Sequence, residues 1–523
     1  MNIANLHTML AIQWRTGWKV LVAWVAATVA LMGITAVAMD NNYDTPEAIA
    51  AYAATVGSGP AIKMLNGNVA GLDTLGGILA NEFGFIASFM LPIMGIALVS
   101  RSTRREEEAG RLELLLASAI GRHAPLVASL LLAAAAAAAT GLGCWAVTRT
   151  TAVDSAGAAW YSAALAVLLM FFAGVAAVAA QVVESNRGVW MIGLGVAVVA
   201  FLVRGLGAVN EAWYVWLSPL GLFDGVRAFG EARWWPLAVS LLLSLVLVGL
   251  ALLLNARRDL GAAMVRSRPG RPRASAGLRT GWGLAVFEHR SAVIGWTIGA
   301  AVVMAIYGSL AQQVVDAVGS IPELQAWVNA ALDAIMAMFV MMASMLAAAT
   351  GIALGGSLRA AEVSGRLEAV LAGPRSRTGW IVRHLAVISL ASLLVLAVGA
   401  VVLAASASVS LGDDRLWSDI LRATAAHAPV VLAFSGLGVL LFSVAPRLRG
   451  WLWAVFGVSA IIAYMATALR LPDWLADNSP FLVVGEVPAE PVRWVGVAVM
   501  AAVALAAHVL AVVGLRHRNL PAL

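Results

Sequence analysis

Apolar stretches of twenty or more residues with little or no charge recur along the whole chain, and polar residues gather into short intervals between them. That pattern predicts membrane-spanning helices. Six spans are expected near 18–39, 74–100, 125–148, 160–183, 188–208 and 234–254, and six more near 291–311, 334–358, 379–410, 420–444, 450–469 and 493–514. The run at 379–410 is longer than a bilayer requires, so part of it should extend into water. Residues 2–18, "NIANLHTMLAIQWRTGW", are amphipathic and carry tryptophans, and read as an interfacial helix ahead of the first span.

Composition removes the soluble alternative. A 523-residue soluble chain would hold three or four domains, but 61% of these residues are hydrophobic and 12% charged. Cys144 is the sole cysteine and falls inside a span, which excludes a disulfide or cysteine metal cluster. The run from Trp18 to Met39 is too long for a signal-peptide core and reads as the first span. The alanine run Ala133–Ala139 suits close helix approach in lipid.

Charge sets the expected orientation. The stretch 255–290 carries eight arginines against Asp259 and Glu288, whereas 40–73 carries Asp40, Asp44, Glu47 and Asp73 against Lys63 alone. The first is therefore expected on the cytoplasmic side and the second outside. Arg15, Lys19, Arg516 and Arg518 then place both termini in the cytoplasm. The expected organisation is a six-span half at 1–258, a basic linker at 259–283 and a second six-span half at 284–523. The net charge of +6 belongs to these loops and needs no nucleic-acid partner.

One charged segment occurs twice. Residues 104–117 read "RREEEAGRLELLLA" and residues 359–372 read "RAAEVSGRLEAVLA", agreeing at eight of fourteen positions. Each copy lies between the second and third spans of its half. Read as one helix, it places Arg104, Glu107 and Arg111 on one face, matched by Arg359, Glu362 and Arg366. Leu112, Leu115 and Leu116 form another, matched by Leu367, Val370 and Leu371. Glu107–Arg111 and Glu362–Arg366 have the spacing of exposed helical ion pairs, each contributing about 0.3–0.5 kcal/mol. Gly110 and Gly365 would then sit mid-helix, where close approach by another backbone would explain them. Thr103 and Glu106 form a possible capping box in the first copy only. Stability alone is a weak reason to repeat this pattern; two docking elements for a two-fold cytoplasmic partner fit it better.

The frame R-x-x-E-x-x-G-R-x-E, twice in a twelve-span arginine-rich chain, resembles the permease subunits of bacterial ABC exporters of the polyketide-antibiotic (tetronasin) type. Ser218–Pro219 and Ser479–Pro480, each before the last span of a half, are further echoes. The resemblance implies an all-α integral membrane protein of about twelve transmembrane helices in two pseudo-symmetric six-helix halves, like a type-2 ABC exporter permease. It implies that residues 101–122 and 356–377 are coupling segments for two copies of a separate ATPase subunit. Arg104, Glu107, Gly110, Arg111, Leu112 and Glu113 would make one contact, and Arg359, Glu362, Gly365, Arg366, Leu367 and Glu368 the other. The implied cargo is hydrophobic or amphipathic small molecules, antibiotics and drugs included. Only Lys19 and Lys63 are lysines and neither follows glycine, so the chain has no Walker A loop. It is not expected to be an enzyme; ATP and Mg would bind the partner.

Other classes fit less well. A proton-coupled multidrug carrier would share the span number, but ionisable residues within the spans are few, among them Arg204, His427 and Arg470. Export of a lipid or glycolipid is a further alternative. Asp413–Asp414, or Asp40 with Asp44, could suggest a metal-dependent membrane transferase, but no convincing further ligands accompany them. Glu82 and Asp333 occupy roughly matching places in the two halves and are candidates for the substrate path.

Overall fold

The computed structural model describes residues 2–56, 60–259, 261–265, 273–309, 311–312, 315, 328–373, 376–465 and 472–518. Regular structure among them is helical throughout, and they divide into two compact units, Met1–Gly270 and Arg271–Leu523. Among the described residues, eleven helices are long and apolar enough to cross a membrane. The expected span at 450–469 falls on helix Arg449–Met465, of 17 residues; 466–471, Arg470 included, lie outside the described residues.

In the first unit the spans are Leu6–Asn42, Leu75–Ser102, Ala124–Thr148, Ser155–Val182, Asn186–Val209 and Trp234–Arg257. In the second they are Gly281–Ser309, Val328–Val363, Arg377–Leu411, Arg415–Val444, Arg449–Met465 and Trp494–His517. Within each unit the first span packs chiefly on the third, the second on the fourth, and the sixth on the fourth. The repeat in the sequence is thus a repeat in packing.

Small residues make these contacts close. A Cβ on Gly95 of the second span would stand 2.8 Å from backbone atoms of Leu169 and Ala173 on the fourth. In the second unit, a Cβ on Gly355 would stand 2.8 Å from the Gly438 carbonyl carbon. Such approach lets helices associate in lipid, where apolar side chains gain nothing by leaving their surroundings. Of the alanine run, Ala133, Ala136 and Ala137 turn inward, the three-and-four spacing of one helix face.

The first helix differs from expectation. It runs unbroken for 37 residues, about 55 Å at 1.5 Å per residue, so residues 6–18 continue the first span and form no separate interfacial helix. Its leading strap is fixed by hydrogen bonds from the Gly121 amide to the Ala4 carbonyl and from the His123 amide to the Asn2 carbonyl. The third span of the second unit, 35 residues or about 52 Å, also exceeds the apolar thickness of a bilayer. After the first unit's sixth span the chain folds back rather than trailing away, and the Val265 amide donates to the Val182 carbonyl at 3.0 Å.

The two Ser-Pro steps have the same role in both units. Ser218 Oγ donates to the Ala200 carbonyl at 2.6 Å and Ser479 Oγ to the Ser459 carbonyl at 3.1 Å. Each serine ties the segment before the sixth span back to the fifth.

Candidate functional site

The charged repeat breaks at its glycine in both units and is not one helix. In the first unit the second span ends at Ser102, Arg104–Glu108 makes a short turn of helix, and Arg111–Leu116 follows. Gly110 joins them at φ +69°, and a Cβ placed there would meet nothing within 4 Å. In the second unit the second span continues to Val363, and Gly365, at φ +72°, leads into Arg366–Leu371. The glycines are there because the chain turns through the left-handed region, which a side chain disfavours by about 1–2 kcal/mol. At Gly110 this overturns the expectation of close backbone approach.

The turn also re-pairs the charges. Glu107 does not meet Arg111, and Glu362 does not meet Arg366. Glu107 instead faces Arg104 at 2.9 Å and receives two hydrogen bonds from Arg258, at 2.8 and 3.0 Å, with a third from the Gly261 amide at 2.7 Å. The side chains of Arg104, Glu107 and Arg258 are 1%, 4% and 6% exposed. Arg104 and Arg258 both donate to the Ala262 carbonyl. In the second unit Glu362 lies 2.7 Å from Arg359 and accepts from Arg518 at 2.5 Å, while Arg518 also donates to the Phe442 carbonyl at 2.7 Å.

Arg258 and Arg518 occupy the same place: each is the residue that ends the sixth span of its unit. The glutamate of the repeat therefore clamps the end of the second span to the end of the sixth, twice. The sequence reading missed both arginines as partners. The arginine pair closing each half, Arg257–Arg258 and Arg516 with Arg518, is the signal in the sequence that points to them.

With Glu107 occupied, Arg111 turns to Glu106 through hydrogen bonds of 2.6 and 2.7 Å, and Arg366 donates from Nε to Ser364 at 2.9 Å. Thr103 makes no capping box; its hydroxyl donates back to the Val99 carbonyl at 2.7 Å. Leu112 and Leu367 are buried beneath the short helices, whereas Arg111, Glu113 and Arg366 are exposed and Glu368 is half-buried. Leu114 is 76% exposed. Each copy therefore has a buried anchoring side and an outward side of mixed charge and apolar surface.

The candidate path residues have unlike surroundings. Glu82 accepts from the Tyr52 hydroxyl at 2.5 Å, and Asn81 donates to the same oxygen at 2.7 Å, so this carboxylate holds the helix Pro46–Val56 against the second span. Asp333 is half-buried, in electrostatic reach of Asp419 and Arg415. At the same end of the first unit as Glu82, Arg204 is fully buried, donates to Ser88 Oγ at 2.9 Å and to the Leu65 carbonyl, and faces Asp224 at 3.8 Å. Burial pushes the Asp224 carboxyl up to about 7, with Arg204 opposing the shift. His427 is a core histidine whose Nδ1 lies 3.0 Å from the Ala423 carbonyl. Asp413 is held by Arg415 at 2.7 Å, and Asp40 accepts from the Ala152 amide at 3.2 Å.

Two like-packed sets of apolar helices, each with a clamped charged hinge at one end, define a multi-pass membrane protein. Residues 278–516 match the family described as multidrug efflux system permease Rv1217c, C-terminal domain. The chain is 32% identical over 491 residues to the multidrug efflux system permease protein Rv1217c of Mycobacterium tuberculosis, covering 91% of this chain and 88% of that protein. It belongs to that permease family.

Proposed function

We propose that this permease is the membrane subunit of an ATP-driven ABC exporter, and that its two charged hinges dock two copies of a separate ATPase. The observation that carries this reading is the duplicated clamp: Glu107–Arg258 and Glu362–Arg518 join the second span to the sixth in each unit. A hinge that only lay on the lipid surface would need no buried ion pair. A lever does, because force applied to its outward side must reach the spans. Arg111 and Arg366 would meet the ATPase, together with Glu113 and Glu368. Glycines 110 and 365 would set the angle, and Leu112 and Leu367 would seat the short helices. Arg104, Glu107, Arg359 and Glu362 would act from beneath, as anchors. ATP and Mg would bind the partner, whose closure would reorient the spans.

The cargo on this reading is hydrophobic or amphipathic small molecules. The relative's designation as a multidrug efflux permease supports that class, and polyketide-type antibiotics are the narrower expectation. Glu82 and Asp333 are proposed to flank the exit side of the path. Orientation follows the arginine distribution, with both termini and both hinges in the cytoplasm of a bacterium.

The test is transport in inverted membrane vesicles, loading a hydrophobic fluorescent drug. The reading predicts uptake that needs ATP and persists when a protonophore collapses the proton gradient. Uptake that follows the gradient without ATP would replace it with a proton-coupled carrier.

A further inference from the structure

The two clamps are alike, but what lies beside them is not. In the first unit the fifth span begins against the charged repeat, with the Asn186 amide donating to Glu108 Oε1 at 2.8 Å. In the fourteen-residue frame Glu108 corresponds to Val363, which is 63% exposed. The fifth spans themselves open alike, Arg187–Gly188 in one unit and Arg449–Gly450 in the other. The second unit thus keeps the arginine and glycine and lacks the carboxylate that fills this corner in the first.

A crevice of about 290 Å³ lies beside the start of the fifth span, between the second, fourth and fifth spans of the second unit. Its charged lining is Arg359 and Arg449, with no carboxylate among the lining residues, and Leu441, Phe442, Leu452 and Trp453 form much of the apolar wall. Arg359 is 32% exposed where its counterpart Arg104 is 1% exposed. It meets Glu362 as an ion pair but donates no hydrogen bond among the described residues. The Arg449 side chain makes no ion pair or hydrogen bond among the described residues. Two guanidinium groups with donors to spare therefore stand at an apolar slot, beside the run "PRLRGWLW" at 446–453, whose Trp451 and Leu448 are exposed. Arginine with tryptophan at a helix end is the chemistry of the headgroup layer.

We infer that this crevice binds an anionic phospholipid, its phosphate between Arg359 and Arg449 and the start of an acyl chain along Leu452 and Trp453. A phosphate accepts from both planar donors at once, and the apolar wall favours a ligand that carries a tail over a free anion. The inference stands on the crevice alone and does not depend on the ATPase reading.

The test uses the purified full chain in nanodiscs of phosphatidylcholine with a minor share of phosphatidylglycerol, and counts retained lipid by native mass spectrometry. The wild type should retain phosphatidylglycerol selectively. Arg449→Gln should lower that selectivity about fivefold, the effect of one arginine at a charged surface. Gly356→Leu should do the same by filling the slot, since a Cβ there meets nothing within 4 Å. Arg447→Gln, outside the lining, should change nothing. Equal selectivity in the wild type and both crevice variants would overturn the proposal. Displacement of the lipid by millimolar inorganic phosphate would overturn it too, in favour of a free-anion site.

Discussion

Glu107 and Arg258 lie 151 positions apart and meet through two parallel hydrogen bonds, at 2.8 and 3.0 Å, in a place almost closed to solvent. Paired planar groups of this kind fix both distance and orientation. Glu362 and Arg518 make the matching junction in the second unit, through one hydrogen bond at 2.5 Å.

Removing the acid should therefore be severe. Glu107→Gln leaves Arg104 and Arg258 buried without their counter-charge, and breaking a buried pair costs about 3–5 kcal/mol. Thermal unfolding in detergent should show a large loss for Glu107→Gln and little for Glu113→Gln on the exposed side. Equal melting of the two variants would contradict the clamp.

The hinge glycines make a conformational prediction. Gly110→Ala should destabilise by about 1 kcal/mol from its φ of +69°, and Gly110→Asn by less, because asparagine tolerates that backbone. Gly95→Ala should be worse than either, since its Cβ would press on the fourth-span backbone at 2.8 Å. An asparagine as damaging as the Gly95 substitution would show that the hinge is crowded after all.

Charge reversal on the outward side separates docking from folding. Arg111→Glu with Arg366→Glu should leave membrane insertion and melting close to the wild type, because both arginines are exposed. ATP-driven transport should fall to background. Full transport by a well-expressed double variant would remove these arginines from the docking surface.

Asp224 predicts a pH dependence. Its carboxyl is raised from the ordinary carboxylate value to about 7 by burial, so between roughly pH 4 and 7 the folded chain holds a proton that the unfolded chain has lost. Stability from this group is then greatest at the acid end and declines as pH rises through 7. Melting temperature should fall more between pH 5 and 8 in the wild type than in Asp224→Asn. Parallel curves would mean that Arg204 keeps the carboxyl ionised throughout.

Much of the fold was legible because lipid imposes a simple rule: a spanning helix must be apolar over its whole length, and such runs stand out. The internal repeat was legible for the same reason, since Arg104, Glu107, Gly110 and Arg111 recur in register at 359, 362, 365 and 366. The pairing was not. A glycine in the left-handed region breaks the helical register, so neighbours counted at 100° per residue were the wrong neighbours. The true partner of Glu107 is set by how the sixth span packs, which local spacing does not encode. Nor does local spacing encode that Tyr52 donates to Glu82 across 30 positions.

The central claim is that the two hinges hold an ATPase. Purifying the tagged chain from its native membranes in mild detergent, and counting what accompanies it, tests that most directly. A P-loop ATPase at two copies per chain, lost together with transport in the Arg111→Glu, Arg366→Glu variant, is the predicted result. A chain that purifies alone and transports on a proton gradient without ATP would contradict it.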